Sequence, residues 1–508
     1  QQHTLENVPV ELSINPNELL TGTRANRKNI GYAALSKIYH ELGLHVFFSN
    51  SSRKFKSKFN TNNIMKLLIY SRILSPASKK KTYEQRGRYF ENNDFSLDDV
   101  YRCLTQVITF KDRLQKHLHQ RIGDSYGRTT ELVYYDVTNY YFEIDKQDEL
   151  RKKGVSKEFR PDPIVQMGLL MDTKGLPILY DLFPGNTNDC LTLMPILDQV
   201  KKNYEIGRTI VVADRGINTA DNIAFCLAKG DGYIYSQTVR GGNKELKSYA
   251  LDPKGYRQFG DGYKIKSRLY PREIAISNAQ GGRTKIRIDE KQVVFYSPDY
   301  DRRAKADRAP ALLKARDLVK NPSRYNRAIS YGAAKYVKNL VFDPKTGEVM
   351  TTKQKPVFDE AKLKEEEKFD GYYAIVTSEW KKADGEIVDI YRELWRIEEA
   401  FKVTKSDLAS RPVHLSRDDH IRAHFLTCFV ALVIARLLAL NLENKYSISK
   451  IAESLRRASG SLLEENWYVF DYTDEITKAI TEKMGVDLSR KYLKVAEIKK
   501  MIGETKKA

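Results

Sequence analysis

The order of apolar segments between residues 131 and 239 constrains the fold of this chain most strongly. Residues 131–142 (ELVYYDVTNYYF) are rich in aromatic and β-branched side chains, as strands are. Further patterns along the chain predict strands at 165–171 and 177–183, a helix at 191–200, a strand at 209–213, a helix at 219–227 and a strand at 232–239. Three strands followed by helix, strand, helix and strand predict an α/β domain.

The charge of the chain indicates its class of partner. Its 508 residues include 86 Lys and Arg against 66 Asp and Glu, a formal net charge of +20. A positive charge this large favours a polyanionic binding partner, most often nucleic acid. The alternative is that the positive charge serves only the solubility of the protein. The most apolar stretch, 425–440, is interrupted by Arg436 and predicts a buried helix, so no membrane partner is expected. The four cysteines are scattered and no secretory leader pattern is seen, which predicts a reducing cytoplasm.

Three carboxylates stand where a metal site for phosphodiester chemistry would need them. Asp136 lies inside an otherwise apolar strand, where a charge is costly unless it is paired or coordinates a cation. Asp214 directly follows the apolar strand at 209–213, at the kind of strand end where open α/β sheets bind ligands. Glu398 lies at the edge of the apolar face of a helix predicted at 391–408. Converging carboxylates are the ligands that Mg²⁺ prefers, although an exposed or capping role is the alternative for each one alone.

Basic and aromatic residues near these carboxylates are candidate DNA contacts. Tyr391, Glu398 and Lys405 are spaced seven residues apart, so a continuous helix would place them on one face, beside an apolar seam. Lys405 and Tyr391 are candidate phosphate contacts; an exposed lysine and a packed tyrosine are the alternatives. Trp395 can stack on a base, but core packing is favoured. The triplet Lys79, Lys80 and Lys81 predicts a basic loop that contacts DNA phosphates or forms a solvated face.

Four stretches of the sequence resemble the DDE transposases of bacterial and archaeal insertion sequences. They are YYDVTNYYFE at 134–143, LPILYDLFPGNTND at 176–189, IVVADRGI at 210–217 and YRELWRIEEAFKVTKSDLASRPV at 391–413. The resemblance is to the insertion-sequence-4 superfamily, in its branch with a long insertion between the second Asp and the Glu. It implies a ribonuclease-H-like catalytic core with a β-rich insertion, and apolar residues at helical spacing predict a helical N-terminal region before this core. It also implies that Asp136, Asp214 and Glu398 are catalytic and hold two Mg²⁺ ions, for which Mn²⁺ substitutes.

The resemblance extends to a signature on the helix of Glu398. Tyr391, Glu398 and Lys405 match that signature, but its arginine position is occupied by Leu394. Arg392 and Arg411 are the candidates to supply the missing phosphate contact. By the same resemblance, Lys405 contacts a DNA phosphate near the scissile bond.

Five regions are expected from these patterns. They are a helical DNA-binding or dimerisation region at 1–125, the first part of the ribonuclease-H-like core at 126–240, the β-rich insertion at 241–370, the second part of the core with the Glu helix at 371–445, and a helical C-terminal region at 446–508.

The favoured function is an active transposase that binds terminal inverted repeats and target DNA as a homodimer, in the cytoplasm of a prokaryote and associated with the nucleoid. A catalytically inactive DNA-binding repressor of transposition is one alternative, and metal-dependent cleavage distinguishes the two. A host nuclease with the same core is the other alternative, which the helical N-terminal region and the long insertion disfavour.

Overall fold

A computed structural model of the chain describes residues 11, 17, 19, 27–158, 160–258, 260–278, 280–350, 354–463 and 466–507. The predicted helical region starts at residue 1, so its part before residue 27, apart from residues 11, 17 and 19, lies outside the described residues. The chain divides into two compact units, which are Gln1–Thr209 with Trp395–Ala508, and Ile210–Leu394. Asp136 and Glu398 belong to the first unit, and Asp214 belongs to the second.

The first unit begins with a short strand that is followed by helices. Its elements up to residue 126 are β1 (Arg27–Asn29), α1 (Tyr32–Glu41), α2 (Leu44–Ser52), α3 (Thr61–Leu74), α4 (Lys79–Glu84), α5 (Leu97–Val107) and α6 (Lys111–Tyr126). Side-chain caps set several of these starts. The Asn60 side chain accepts the N–H of Asn63 at the start of α3, and Ser96 and Asp99 form a reciprocal capping box at the start of α5.

An antiparallel meander follows in the same unit, and it carries Asp136. The elements are β2 (Leu132–Tyr141), β3 (Ile164–Asp172), β4 (Pro177–Pro184) and α7 (Leu193–Asn203). β3 pairs with both β2 and β4, and Asp136 lies opposite Leu169 in the register. All nine residues of β3 are buried, as expected for a strand between two partners that is covered on both faces.

The second unit combines a six-stranded arrangement with helices. Its elements are β5 (Ile210–Ala213), α8 (Ala220–Ala228), β6 (Gly232–Gln237), α9 (Lys244–Leu251), β7 (Arg257–Gln258), β8 (Lys264–Leu269), β9 (Arg272–Ser277), β10 (Arg283–Ile288), β11 (Lys291–Tyr296), α10 (Pro298–Lys320), β12 (Val337–Lys338), β13 (Val357–Phe358), α11 (Glu360–Glu367), β14 (Tyr372–Thr377) and α12 (Asp384–Arg392). The strands run in the order β5-β6-β14-β11-β8-β7, with β5 and β6 parallel and each later pair antiparallel.

The last part of the chain returns to the first unit. Its elements are α13 (Trp395–Lys402), a π-helical segment (Val403–Asp407), α14 (Asp418–Asn441), α15 (Ile448–Arg457), β15 (Ser459–Leu462), β16 (Trp467–Phe470), α16 (Glu475–Met484), β17 (Tyr492–Lys494) and α17 (Val495–Glu504). The strands β15, β16 and β17 pair in that order, and β15 also pairs with β1, so both ends of the chain contribute to one small sheet.

Helix α14 is the core helix of the first unit. It packs against α1, α3 and α5 on the helical side and against β4 on the sheet side. The aromatic rings of Tyr140 and Tyr180 each lie 4.9 Å from a phenylalanine ring of this helix, Phe425 and Phe429 respectively. α14 is long and apolar enough to cross a membrane, but 89% of its most apolar window is buried within the chain. The fold is mixed α/β, and no membrane span is indicated among the described residues.

Candidate active site and DNA-contacting residues

Asp136 interrupts the apolar interior of β2. Between its two end residues, β2 is buried at every position except Asp136, which is half-buried. Its Oδ1 accepts a hydrogen bond of 2.7 Å from the N–H of Val137. Because side chains alternate along a strand, Asp136 shares its face with Thr138 and Tyr140. The carboxylate therefore keeps access to solvent from a rigid, otherwise apolar strand.

The helix that carries Glu398 covers this strand. α13 packs against β2, and the hydroxyls of Tyr140 and Thr404 are joined by a hydrogen bond of 2.8 Å just beyond that helix. Glu398 itself is exposed in the first turn of α13, beside the buried Ile397. Its carboxylate forms no hydrogen bond or ion pair with any residue in the described part of the chain. In the first unit, Asp136 and Glu398 thus lie on elements that pack together.

Asp214 is held by hydroxyl groups of the second unit. The strand β5 is buried throughout and ends at Ala213, so Asp214 is the first residue after it. Its Oδ1 accepts hydrogen bonds from Ser236 Oγ at 2.6 Å and from the Tyr391 hydroxyl at 3.3 Å. The Tyr391 hydroxyl also lies 3.0 Å from that of Tyr373. No described residue donates a hydrogen bond to Oδ2, which leaves that oxygen for another ligand.

The tyrosines beside Asp214 are kept protonated. Burial, and then the neighbouring Tyr373 and the Asp214 carboxylate, raise the pKa of Tyr391 well above its ordinary value. Burial likewise raises the pKa of Tyr373. Both groups are therefore neutral hydrogen-bond donors at neutral pH. The sequence singled out neither Tyr373 nor Ser236, because a hydroxyl inside a strand pattern carries no signal of its own.

The predicted continuous helix at 391–408 is wrong. α12 ends at Arg392 and α13 begins at Trp395, so Tyr391 and Glu398 belong to different helices. After α13 the backbone turns π-helical, with the N–H of Leu408 donating to the carbonyl of Val403 at 2.9 Å. A π turn changes the number of residues per turn, which shifts Lys405 out of the seven-residue register. The single continuous helix on which the spacing argument for Tyr391, Glu398 and Lys405 depends is therefore absent.

Lys405 is part of an ion cluster in the first unit. Its ammonium lies 3.4 Å from Glu158 Oε1, and Arg411 pairs with the other oxygen of the same carboxylate. The Lys405 side chain is only 12% exposed and lies over the ring of Tyr140. Burial lowers the pKa of Lys405, and Glu158 partly offsets this shift. Lys405 is therefore not the exposed lysine of the alternative interpretation, and Arg411, rather than Arg392, shares its counter-charge.

The three consecutive lysines begin a helix rather than forming a loop. Ser78 caps α4 by accepting the N–H of Lys81. Lys80 and Lys81 are exposed, but Lys79 is only 4% exposed. The prediction of a basic loop is wrong because Ser78 is a good N-cap and the triplet lies in the first turn that it starts. Only two of the three lysines face solvent.

Trp395 also differs from its favoured interpretation. Core packing was expected, but the side chain is 50% exposed at the first residue of α13. The guanidinium of Arg396 lies 5.4 Å from its ring centroid. Because the ring of Trp395 is exposed and lies beside a cation, stacking on a base is the interpretation that stays open.

The chemistry of the three carboxylates fits a divalent cation. All are oxygen donors, Glu398 has no described partner, and Asp214 keeps one free oxygen. Within the described ranges of the chain, no three His, Cys, Asp or Glu side chains form a group that could hold a metal ion. The joint binding of metal ions by Asp136, Asp214 and Glu398 therefore stays a prediction.

Comparison with known families defines the class of the protein. Residues 145–434 match the family model described as "Transposase DDE domain". This match covers more than half of the chain, which therefore belongs to the DDE-domain transposase family. The match includes Asp214 and Glu398 and begins C-terminal to Asp136.

Solved structures of transposases are similar to this chain at low identity. One is the cryo-EM structure of the piggyBac transposase synaptic complex with hairpin DNA, with a TM-score of 0.40, 9% identity, and coverage of 94% of this chain and 85% of that chain. Another is the Mos1 transposase paired-end complex with left transposon end, with a TM-score of 0.15, 13% identity, and coverage of 34% of this chain and 57% of that chain. No curated protein matches the sequence.

Proposed function

We propose that the chain is an active DNA transposase of an insertion sequence. It binds the terminal inverted repeats of the element, cleaves phosphodiester bonds at its ends and transfers the strands to target DNA. The observation that carries this proposal is the DDE-domain match over residues 145–434, which includes two of the three candidate carboxylates. The net charge of +20 supports a polyanionic substrate.

In this proposal Asp136, Asp214 and Glu398 are the catalytic residues and bind two Mg²⁺ ions. Such ions, when bound, activate the attacking hydroxyl and neutralise the leaving oxygen, and Mn²⁺ is expected to substitute for them. The core that carries the carboxylates is ribonuclease-H-like, with residues 241–370 as its insertion. The strand order within each unit supports this assignment, because an antiparallel meander, β2 to β4, precedes the parallel pair β5 and β6.

The hydroxyls around Asp214 position it. Hydrogen bonds from Ser236 and Tyr391 hold Oδ1 and leave Oδ2 for a cation. A carboxylate fixed in this way loses less rotamer entropy when it binds its ligand, and support of this kind typically raises metal affinity. Ser236 and Tyr391 are positioning residues in this proposal, because they act through Asp214.

The DNA contacts are assigned to the cationic and aromatic groups of the first unit. Lys405 and Arg411 bind one backbone phosphate, which takes the place of the Glu158 carboxylate between them. The exposed ring of Trp395 stacks on a base near the cleaved end. Lys80 and Lys81 add contacts to the backbone that position the DNA without reading its sequence.

The biological setting follows from the same proposal. Joining two element ends requires that both are held together, which we assign to a homodimer. The enzyme acts in the cytoplasm of a bacterium or archaeon, on the nucleoid, and belongs to the long-insertion branch of the insertion-sequence-4 superfamily. A DNA-binding repressor without catalysis remains the competing function, and cleavage separates it from the transposase.

The test is DNA cleavage by the purified full chain. Labelled duplex that carries an end of the element encoding the protein is incubated with Mg²⁺ or Mn²⁺. Wild type is compared with Asp214→Asn, which removes the negative charge but retains an oxygen for Ser236. We expect metal-dependent nicking at the repeat boundary, a loss of at least about 100-fold in Asp214→Asn, and unchanged DNA binding.

The matched control is Asp307→Asn, an exposed carboxylate of the same unit, which changes the net charge equally. This variant is expected to cleave like wild type. Tight, specific binding of the repeat without cleavage in either metal would replace the transposase proposal with the repressor. Equal cleavage by wild type and Asp214→Asn would remove Asp214 from the catalytic set.

A further inference from the structure

A cationic cavity lies in the first unit, apart from the three carboxylates. Its volume is about 240 Å³, and its lining combines buried and exposed positive groups. Arg72, Lys79 and His424 are buried, whereas Lys80 and His414 are exposed. The cavity therefore extends from the protein surface to buried cations. Its lining contains no Asp or Glu within the described part of the chain.

No carboxylate in the described part of the chain pairs with Lys79 at the buried end of the cavity. Its ammonium lies 3.3 Å from Nδ1 of His424, whose Nε2 is 3.1 Å from the carbonyl oxygen of Ser410. This arrangement fits a neutral imidazole, with Nε2–H donating to the carbonyl and Nδ1 accepting from the lysine. One neutral acceptor satisfies only one of the three ammonium donors. A buried ammonium is costly unless an anion pairs with it.

Arg72 adds a second buried cation, and none of its described partners is a carboxylate. Its guanidinium donates to the carbonyls of Ala77, Leu408 and Ala409 at 3.1 to 3.3 Å, and its Nε–H has no partner in the described structure. Carbonyl oxygens carry only a partial negative charge, so they do not neutralise the guanidinium of Arg72. Burial, and then the charge of Arg72, lower the pKa of Lys79 to about 7.

The other groups around Lys79 add no negative charge at neutral pH. The titratable or charged residues that line the cavity or face the ammonium are Arg72, Lys80, Tyr101, Arg411, His414, His424 and Cys428. Burial keeps the Cys428 thiol protonated by raising its pKa. Burial and the neighbouring cations lower the pKa of His424, which keeps its ring neutral.

We propose that this cavity is a binding site for one phosphate group of a DNA backbone. Its buried lysine and arginine supply the charge, and its exposed mouth admits a tetrahedral anion. Arg411 lines the cavity and also pairs with Glu158, so the site adjoins Lys405. Neighbouring phosphates of one strand can therefore occupy the cavity and the Lys405–Arg411 site. This continuity favours a DNA backbone over free phosphate, and that choice rests on the proposed function.

The test measures the binding of inorganic phosphate to the full chain by isothermal titration calorimetry below pH 7, without DNA or metal. Lys79→Met removes the buried charge. Lys478→Met is the matched control, because it removes an equal charge from an exposed position of the same unit, outside the cavity. We expect saturable binding to wild type and to Lys478→Met, and at least about tenfold weaker binding to Lys79→Met. Equal binding by Lys79→Met and Lys478→Met, or no saturable binding to wild type, overturns the site.

Two further arms complete the test. Lys80→Met alters the exposed mouth and does not depend on the folding of the Lys79 variant. It is expected to weaken phosphate binding relative to Lys478→Met, and unchanged binding contradicts the proposal. Duplex DNA added to phosphate-saturated wild type is expected to displace the phosphate. Simultaneous binding of both overturns the assignment to a DNA backbone. Because no arm involves cleavage, failure here is distinguishable from failure of the transposase proposal.

Discussion

Replacing Glu158 by glutamine is expected to tighten DNA binding while it destabilises the protein. Glu158 lies between Lys405, at 3.4 Å, and Arg411, in the position that we assign to a DNA phosphate. In the free protein this carboxylate competes with the phosphate for the same two cations. Glu158→Gln keeps the shape of the side chain but removes the competing charge.

The size of the effect follows from the burial of the pair. At 3.4 Å and an effective dielectric constant of about 20, one unit-charge pair is worth about 5 kcal/mol before desolvation. Lys405 is 12% and Glu158 is 28% exposed, so the net value lies between a surface pair and a fully buried one. We take the net contribution of the Lys405–Glu158 ion pair as about 1–2 kcal/mol. DNA binding should therefore tighten by about 5- to 30-fold. The free energy of unfolding should fall by a similar amount, because Lys405 and Arg411 lose their counter-charge.

The assay is fluorescence anisotropy with a labelled duplex at one fixed salt concentration, since salt alone changes such affinities strongly. Denaturant unfolding measures stability in parallel. Glu453→Gln is the matched control, because it changes the net charge equally at an exposed position of the same unit. In a Lys405→Met background the gain should shrink. If Glu158→Gln binds DNA no more tightly than Glu453→Gln, the Lys405–Arg411 site does not bind phosphate.

Three other outcomes are expected. Tyr391→Phe removes a hydrogen bond to Asp214, so it should raise the Mg²⁺ concentration required for cleavage by about 10-fold. The affinity for DNA should stay the same. An unchanged Mg²⁺ requirement would refute a positioning role of Tyr391. Trp395→Ala should weaken binding of an element end by about 1–3 kcal/mol in anisotropy, whereas Trp380→Ala, at the same 50% exposure, should not. Sulfate, whose charge does not titrate in this range, should bind the Lys79 cavity most tightly below pH 7 and weaken above it, approaching about tenfold per pH unit as the lysine loses its proton. A flat calorimetric profile would contradict this last expectation.

The strands around the candidate carboxylates could be predicted from the sequence because their signals are local. β2, β3 and β5 each correspond to an apolar or aromatic run bounded by turn residues, and the structure has them within two residues of the predicted ends. The half-buried position of Asp136 follows from the same pattern, since a lone carboxylate in an apolar strand needs solvent or a cation. The two compact units have different bounds from the five predicted regions. The division into those regions stays a prediction.

The interruption of the helix predicted at 391–408 could not be recognised in the sequence, because it does not alter the spacing of the apolar residues. Leu394, Ile397, Phe401 and Leu408 are all buried, as a continuous amphipathic helix would require. Yet the chain ends one helix at Arg392 and continues as a π turn after Lys402. Apolar periodicity records which side chains reach the core, and it does not record whether the backbone between them stays α-helical.

The partners of the functional side chains were the least predictable part of the candidate site, because they come from distant segments. Asp214 is bound by Tyr391, which is 177 residues away, and Lys405 pairs with Glu158, which is 247 residues away. These contacts change what each residue can do. Tyr391, a candidate phosphate contact by spacing, donates its hydroxyl to the carboxylate of Asp214. Lys405 can bind DNA only by giving up an existing ion pair, so its contribution to affinity is the difference between two interactions. Residue types and spacing thus indicate the chemistry of the site, whereas the strength of each contact depends on its partner.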